Sequence, residues 1–272
     1  MDVRRVGFIG GGVIAEAVAT GLVEKAGIKK DDIMISDQSP SRREYLAKGD
    51  WKVTSENKDT AEFDIIFISL NQDEVTQELK KLGNSTSILV SLVAGVTLRT
   101  LDLNSQWKLV RAITNVNAQN GSAVTAICSN AIKSNVKAAE LVKELMSKLG
   151  KALVVKEDEM NAITAVIGSG VAYSLMFIEA LAEEGILQGL SRDVAKMVAE
   201  QTVLGAAQLM QDSDDHPAKL RDDVEVGKGS TLAGVRTLEC KGLREALHAA
   251  VEASDEQLHG KPEPQNRSGY RY

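Results

Sequence analysis

The sequence predicts an α/β protein: an N-terminal, doubly wound parallel sheet followed by an all-helical C-terminal domain. Three observations predict it. Up to about residue 157, short apolar runs alternate with amphipathic segments, the pattern of strands joined by crossover helices. From residue 158 the strand-like runs stop and helical periodicity takes over. A glycine cluster follows the first apolar run, where a strand has to turn sharply into a helix.

The elements follow in order. Arg5-Val6-Gly7-Phe8-Ile9 reads as a buried strand, residues 14–23 as a helix, and Ile33-Met34-Ile35-Ser36 as a second strand ending in Asp37. A short polar helix over 41–49 precedes a continuous apolar strand over 63–69, a helix over 74–82 and another apolar strand over 87–93. Such runs suit strands covered on both faces. Further strands are expected at 108–113 and 122–128, then a helix over 134–149 and a strand at 152–155. Beyond them, 158–187, 191–211 and 231–258 carry helical periodicity, with Ser191 as a capping residue and Gly189 closing the preceding helix. The expected division is a dinucleotide-binding domain over 1–157, a helical domain over 158–259 and a disordered tail over 260–272, where prolines and polar residues leave too little apolar surface to fold.

The glycine cluster carries chemistry. Gly10, Gly12 and Ala15 fit the G-x-G-x-x-G/A spacing of a Rossmann-type fold. Gly10 permits the turn, Gly12 admits phosphate oxygens close to the backbone, and Ala15 keeps the helix near the strand. The free N–H groups and dipole of that helix's first turn then attract the anion. Asp37, at the end of the second strand, is placed to accept from a ribose 2′-hydroxyl, which favours NAD(H). Arg42 and Arg43 follow closely, and a guanidinium there suits the 2′-phosphate of NADP(H). Both readings stay open.

Composition bounds the rest. Lys+Arg 32 against Asp+Glu 38 gives a net charge of −6, so no general attraction to nucleic acid or an anionic membrane is expected. Cys128 and Cys240 stand far apart with no metal-ligand pattern, which argues against a disulfide scaffold and against a metal site. The first strand starts too near Met1 for an export signal, and the expectation is a cytoplasmic protein. The apolar stretch over 162–181 is interrupted by Gly168-Ser169-Gly170 and Glu179, so it suits a helix buried in protein better than a membrane span. A helix apolar nearly all round is a domain centre or a subunit interface. We expect a homodimer or higher homo-oligomer built through the helical domain, and hence a dimerisation domain.

Local strings extend the argument. Ala94-Gly95-Val96-Thr97, Arg111-Ala112 before Asn115, Gly168-Ser169-Gly170 ahead of Ala172-Tyr173, His216-Pro217 before Leu220, and Asp222-Asp223-Val224 through Gly229, Thr231 and Leu238-Glu239 stand in the chain in that order. With the N-terminal glycines, they make residues 6–258 resemble the pyrroline-5-carboxylate reductase family. The resemblance implies hydride transfer from NADH or NADPH to the C=N bond of a cyclic imino acid, 1-pyrroline-5-carboxylate giving L-proline, with the sheet half holding coenzyme and the helical half substrate.

It also implies residue roles. Gly10, Gly11, Gly12, Val13, Ile14, Ala15, Asp37, Ser69, Leu70, Asn71, Ala94, Gly95 and Asn115 would surround the coenzyme, Asn115 either through its amide or by holding a loop. Lys228, Gly229, Ser230, Thr231 and Ser169 would meet the substrate, with Thr231 matching the family threonine beside the imine nitrogen. Tyr173 and His216 read as a buried aromatic with a satisfied hydroxyl and as a capping residue. The loop Glu225-Val226-Gly227-Lys228-Gly229-Ser230-Thr231 departs from the family's Ser-Ser-Pro-Gly-Gly-Thr-Thr. That departure leaves two alternatives: a reductase of another cyclic imine, or a nucleotide-binding relative without catalysis.

Overall fold

The structure is a computed structural model describing residues 3, 5–83, 85–102, 107–224 and 229–258. The chain divides into two compact units, one reaching Gly168 and resuming at Asp255, the other Ser169–Ser254.

The first unit is built on eight strands: β1 (Val6–Ile9), β2 (Ile33–Ser36), β3 (Lys52–Thr54), β4 (Ile65–Ile68), β5 (Ile88–Ser91), β6 (Lys108–Ile113), β7 (Ala123–Cys128) and β8 (Gly150–Val154). They lie in one sheet in the order β3-β2-β1-β4-β5-β6-β7-β8. The strand order reverses between β1 and β4, so the crevice of the doubly wound sheet opens at their carboxyl ends. Every pairing is parallel except β6 with β7. The exception has a geometric cause: β6 and β7 are joined by a short loop with a 3-10 turn at Val116–Asn120, and a parallel return needs a crossover of a dozen residues or more.

Helices cover both faces. On one side α1 (Val13–Glu24), α2 (Pro40–Lys48) and α5 (Lys133–Met146) bury Val18, Leu22, Leu46, Val142 and Leu145 against Phe8, Ile35, Phe67 and Val90. On the other, α3 (Gln72–Leu82), α4 (Leu98–Leu101) and α6 (Met160–Ile167) bury Val75, Leu79, Leu98 and Met160 against Ile66, Ile68 and Leu89. Phe8 and Phe67 stack across neighbouring strands with ring centroids 5.1 Å apart.

One cation lies inside this apolar frame. Arg111 on β6 is 1% exposed and donates to Glu157 Oε1 at 3.1 Å and Asn161 Oδ1 at 3.3 Å, while its Nε is buried without a partner. Glu157 also accepts from the Leu98 N–H at 2.8 Å. It therefore starts α4 and neutralises the strand's charge with one carboxylate. Cys128, paired with Arg111 across β6 and β7, is buried, and burial together with the Glu157 charge pushes its thiol up to about 12, against the pull of Arg111.

The second unit is helical: α7 (Gly170–Leu187), α8 (Arg192–Gln211), α9 (Pro217–Val224), α10 (Ser230–Cys240) and the greater part of α11 (Leu243–Leu258). The periodicity over 158–187 predicts one helix, but the chain makes two, α6 and α7, parted at Gly168-Ser169. Likewise 231–258 divides into α10 and α11 at Gly242, which takes φ 77°. Inside the unit Ala195 and Ala199 of α8 are buried, and Gly185 of α7 sits close to Ala195. α7, α10 and α11 bury no residue fully.

Candidate functional site

The crevice at the carboxyl ends of β1, β2 and β4 is an open groove of about 710 Å³, lined by Gly10, Gly12, Val13, Ile14, Asp37, Gln38, Ser39, Asn57, Ser69, Leu70, Asn71, Glu74, Gln77 and Glu78. Its floor is the turn from β1 into α1. Gly10 holds φ 88°, and a Cβ there would lie 2.2 Å from the Ser69 carbonyl oxygen; no other residue fits this position. Gly12 is different. It is the N-cap of α1, exposed, with φ −63°, and a Cβ there would meet nothing within 4 Å beyond its own stretch of chain. Gly12 lines the groove at the start of α1, where the free first-turn N–H groups and the helix dipole attract an anion. Ala15 is fully buried against the sheet.

Asp37 braces the turn. Its carboxylate accepts from the Gly11 N–H at 2.9 Å and the Ser39 N–H at 2.8 Å, and retains lone pairs for a further donor. The two arginines that follow point to the backbone: Arg43 donates to the carbonyls of Asp37 and Gln38, and Arg42 to the carbonyl of Gly11 and the carboxylate of Glu16. On the far wall Ser36 donates to Asn57 Oδ1 at 2.7 Å, and Asn57 Nδ2 donates to Glu78 at 2.8 Å. Lys81, hydrogen-bonded to Glu78, holds that carboxyl below its ordinary value, helped by Asn57 and opposed by burial.

The structure brings Gly10, Gly12, Val13, Ile14, Asp37, Ser69, Leu70 and Asn71 to one groove; Gly11 and Ala15 are buried in the turn and the helix start and do not line it. Ala94 and Gly95 stand instead in the loop from β5 to α4, Gly95 beside the Gln72 side chain. Both ends of the Asn115 amide are engaged within the protein: Oδ1 accepts from Asn117 N–H and Nδ2 donates to the Ile167 carbonyl, each at 3.1 Å. Its loop-holding alternative is what the contacts display. Gln38, Asn57, Glu74, Gln77 and Glu78 also line the groove; Gln38 follows β2, Asn57 stands in the turn after β3, and Glu74, Gln77 and Glu78 share α3, segments that only the tertiary fold gathers.

In the helical unit, Gly229 is the N-cap of α10 and supplies no side-chain cap, and Ser230 and Thr231 are the first residues of the helix, both exposed. Lys228, with 225–227, lies outside the described residues. Ser169 Oγ shares a 2.9 Å hydrogen bond with Ser254 Oγ. The Tyr173 hydroxyl donates to the Ala250 carbonyl at 3.1 Å, but the ring is half-buried and not buried as expected, and His216 Nδ1 accepts from Ala218 N–H at 3.2 Å, as a capping residue does. Among the described residues no three His, Cys, Asp or Glu side chains gather closely enough to hold a metal ion.

Comparison with known proteins gives concordant matches. Residues 157–260 match the family described as pyrroline-5-carboxylate reductase dimerisation, and residues 5–95 the family described as NADP oxidoreductase, coenzyme F420-dependent. A pyrroline-5-carboxylate reductase of Synechocystis sp. is 34% identical over 92% of this chain and 95% of its own length, and the human pyrroline-5-carboxylate reductase 2 is 34% identical over 92% and 81%. Among solved structures, the Plasmodium falciparum pyrroline carboxylate reductase with NADP bound superposes with a TM-score of 0.83 at 26% identity, over 96% of this chain and 98% of that one.

Proposed function

We propose, from the premise that this chain belongs to the pyrroline-5-carboxylate reductase family, that it is an NAD(P)H-dependent imine reductase converting 1-pyrroline-5-carboxylate to L-proline. The observation that carries the reading is the glycine-floored groove: Gly10 is demanded by the turn, whereas the room beside Gly12 is demanded by no protein atom. Gly10, Gly11, Gly12 and the start of α1 hold the pyrophosphate, with Asp37, Ser69, Leu70 and Asn71 toward the adenosine. Ala94, Gly95 and Asn115 belong to the same proposed coenzyme set, Asn115 through the loop it ties down.

The reduced nicotinamide supplies hydride to the imine carbon, and the protonated imine is the better acceptor. The protein's share is position and charge. The N–H groups at Gly229, Ser230 and Thr231, at the start of α10, receive the substrate carboxylate, the Thr231 hydroxyl orients the imine nitrogen, and Ser169 and Lys228 complete the proposed substrate set. We assign 1–157 to coenzyme and 158–259 to substrate and self-association.

The oligomer is a homodimer or higher homo-oligomer built through the helical domain. Its support is the match of 157–260 to a dimerisation family and the exposed Leu175, Met176 and Leu187 of α7. Residues Glu157–Leu187 also have the length and hydropathy of a membrane helix, but Glu179, Glu183 and Glu184 along α7 favour a protein partner over lipid. Two free cysteines, Cys128 and Cys240, fit a reducing compartment, and we place the protein in the cytoplasm.

The test follows reduced-coenzyme absorbance with 1-pyrroline-5-carboxylate and with its six-membered homologue. Turnover with the five-membered ring supports the reading. Turnover with the larger ring alone moves the substrate, and coenzyme binding without turnover of either overturns catalysis.

A further inference from the structure

We propose that Glu16 selects the coenzyme: by holding the Arg42 guanidinium beneath the glycine turn, it keeps that cation away from the adenosine ribose and makes the groove favour NADH over NADPH. This rests on the reading of the groove as a dinucleotide site.

Four observations build it. The groove's lining includes three carboxylates, Asp37, Glu74 and Glu78, and neither Lys nor Arg. The adjoining recess adds Lys58 and Lys81, but also Glu56 and Glu78, and Lys81 is already ion-paired to Glu78. Arg43 is committed to the backbone carbonyls of residues 37 and 38. Arg42 is the one remaining cation of the β2–α2 segment within reach of the turn, and it is held three ways: by the Glu16 carboxylate, by the Gly11 carbonyl, and by the Tyr45 ring 4.7 Å from its guanidinium carbon.

The electrostatics explain why the pair exists. Glu16 lies in the first turn of α1, where a carboxylate is stabilised by the helix dipole but repels an incoming pyrophosphate. Arg42 cancels that charge locally, at the expense of its own availability to a second phosphate. The ribose end is then left to Asp37, which accepts from a 2′-hydroxyl and repels a 2′-phosphate.

The experiment is a fluorescence titration of NADH and NADPH into the full-length protein, without substrate, for wild type, Glu16→Gln and the double variant Glu16→Gln with Arg42→Met. Thermal melts confirm that each is folded. The wild type is expected to bind NADH about tenfold more tightly than NADPH, a difference near 1.4 kcal/mol. Glu16→Gln is expected to shrink that ratio by about fivefold, with NADPH gaining more than NADH. The double variant should return to the wild-type ratio, because the released guanidinium is what gains. A ratio unmoved by Glu16→Gln, or a wild type preferring NADPH, overturns the inference while leaving the dinucleotide site standing. Binding of neither coenzyme overturns both.

Discussion

The sheet unit and the helical unit solve the burial problem in opposite ways. In the sheet unit, Phe8, Ile9, Leu22, Ile35, Ile66, Phe67 and Ile68 are all sealed completely by their own chain. In the helical unit α7, α10 and α11 bury nothing fully, and Leu175, Met176 and Leu187 stand at 60%, 64% and 78% exposure. The first is a core that closes on itself, the second a surface that only another protein surface completes. Stability of the sheet unit is therefore expected to be local, and that of the helical unit to rise with protein concentration.

The widest separation between the two units comes from substitutions chosen to be damaging in only one of them. Gly10→Val forces a β-branched residue to φ 88° and drives Cβ into the Ser69 carbonyl, so the sheet should lose several kcal/mol and coenzyme affinity should fall by at least ~100-fold. Calorimetric melting and coenzyme titration read this directly. Phe67→Ala removes a sealed, stacked ring and is expected to cost about 3–5 kcal/mol in a denaturant titration, at any protein concentration. Leu175→Glu with Met176→Glu should leave sheet stability within about 0.5 kcal/mol yet shift sedimentation toward the single chain. Equal melting losses from the core and α7 variants would dissolve the contrast.

Smaller effects sharpen it. Glu157→Gln leaves the Arg111 charge inside the sheet with a weaker partner. Breaking a fully buried pair is dearer, but Glu157 is 34% exposed, so about 2 kcal/mol is expected. Cys128 gives the mildest readout. Its thiol has a folded value of about 12 against an ordinary 9.0, so the unfolded chain releases its proton first, and stability from this group, intact below pH 9, declines as pH climbs toward 12. A thiol reagent at pH 8 should therefore leave Cys128 untouched in the native protein and find it after denaturation.

How much of this was readable in advance depended on how local the signal was. The strands β2 and β6 fall where their apolar runs lie, at 33–36 and 108–113, because a strand covered on both faces needs a continuous apolar string. β3 has only Lys52-Val53-Thr54 at the sheet edge and offers no such string. α9 went unread although Pro217 is a helix-start residue, since its polar sequence hides a short helix. The antiparallel turn into β7 is a property of the connection's length and not of the strand's residues. In the site, Gly10, Gly12 and Asp37 were legible because one turn holds them together, whereas Asn57 and Glu78 meet only through the paired placement of β2, β3 and α3. Arg111 carried a further signal: a cation in the interior of the apolar run Leu109-Val110-Arg111-Ala112-Ile113 asks for a buried anion somewhere else in the chain.

Gly12 separates two kinds of constraint that usually arrive together. Nothing in the polypeptide touches the place where its side chain would stand, and serine is at least as good a residue at the start of a helix. A mutational survey scored by cellular abundance would thus rate Gly12→Ser as neutral, while the same survey scored by proline-free growth would rate it as lethal. On the proposed reading the residue's identity is dictated by a guest molecule, so the ratio of those two scores along the chain is expected to trace the coenzyme's outline.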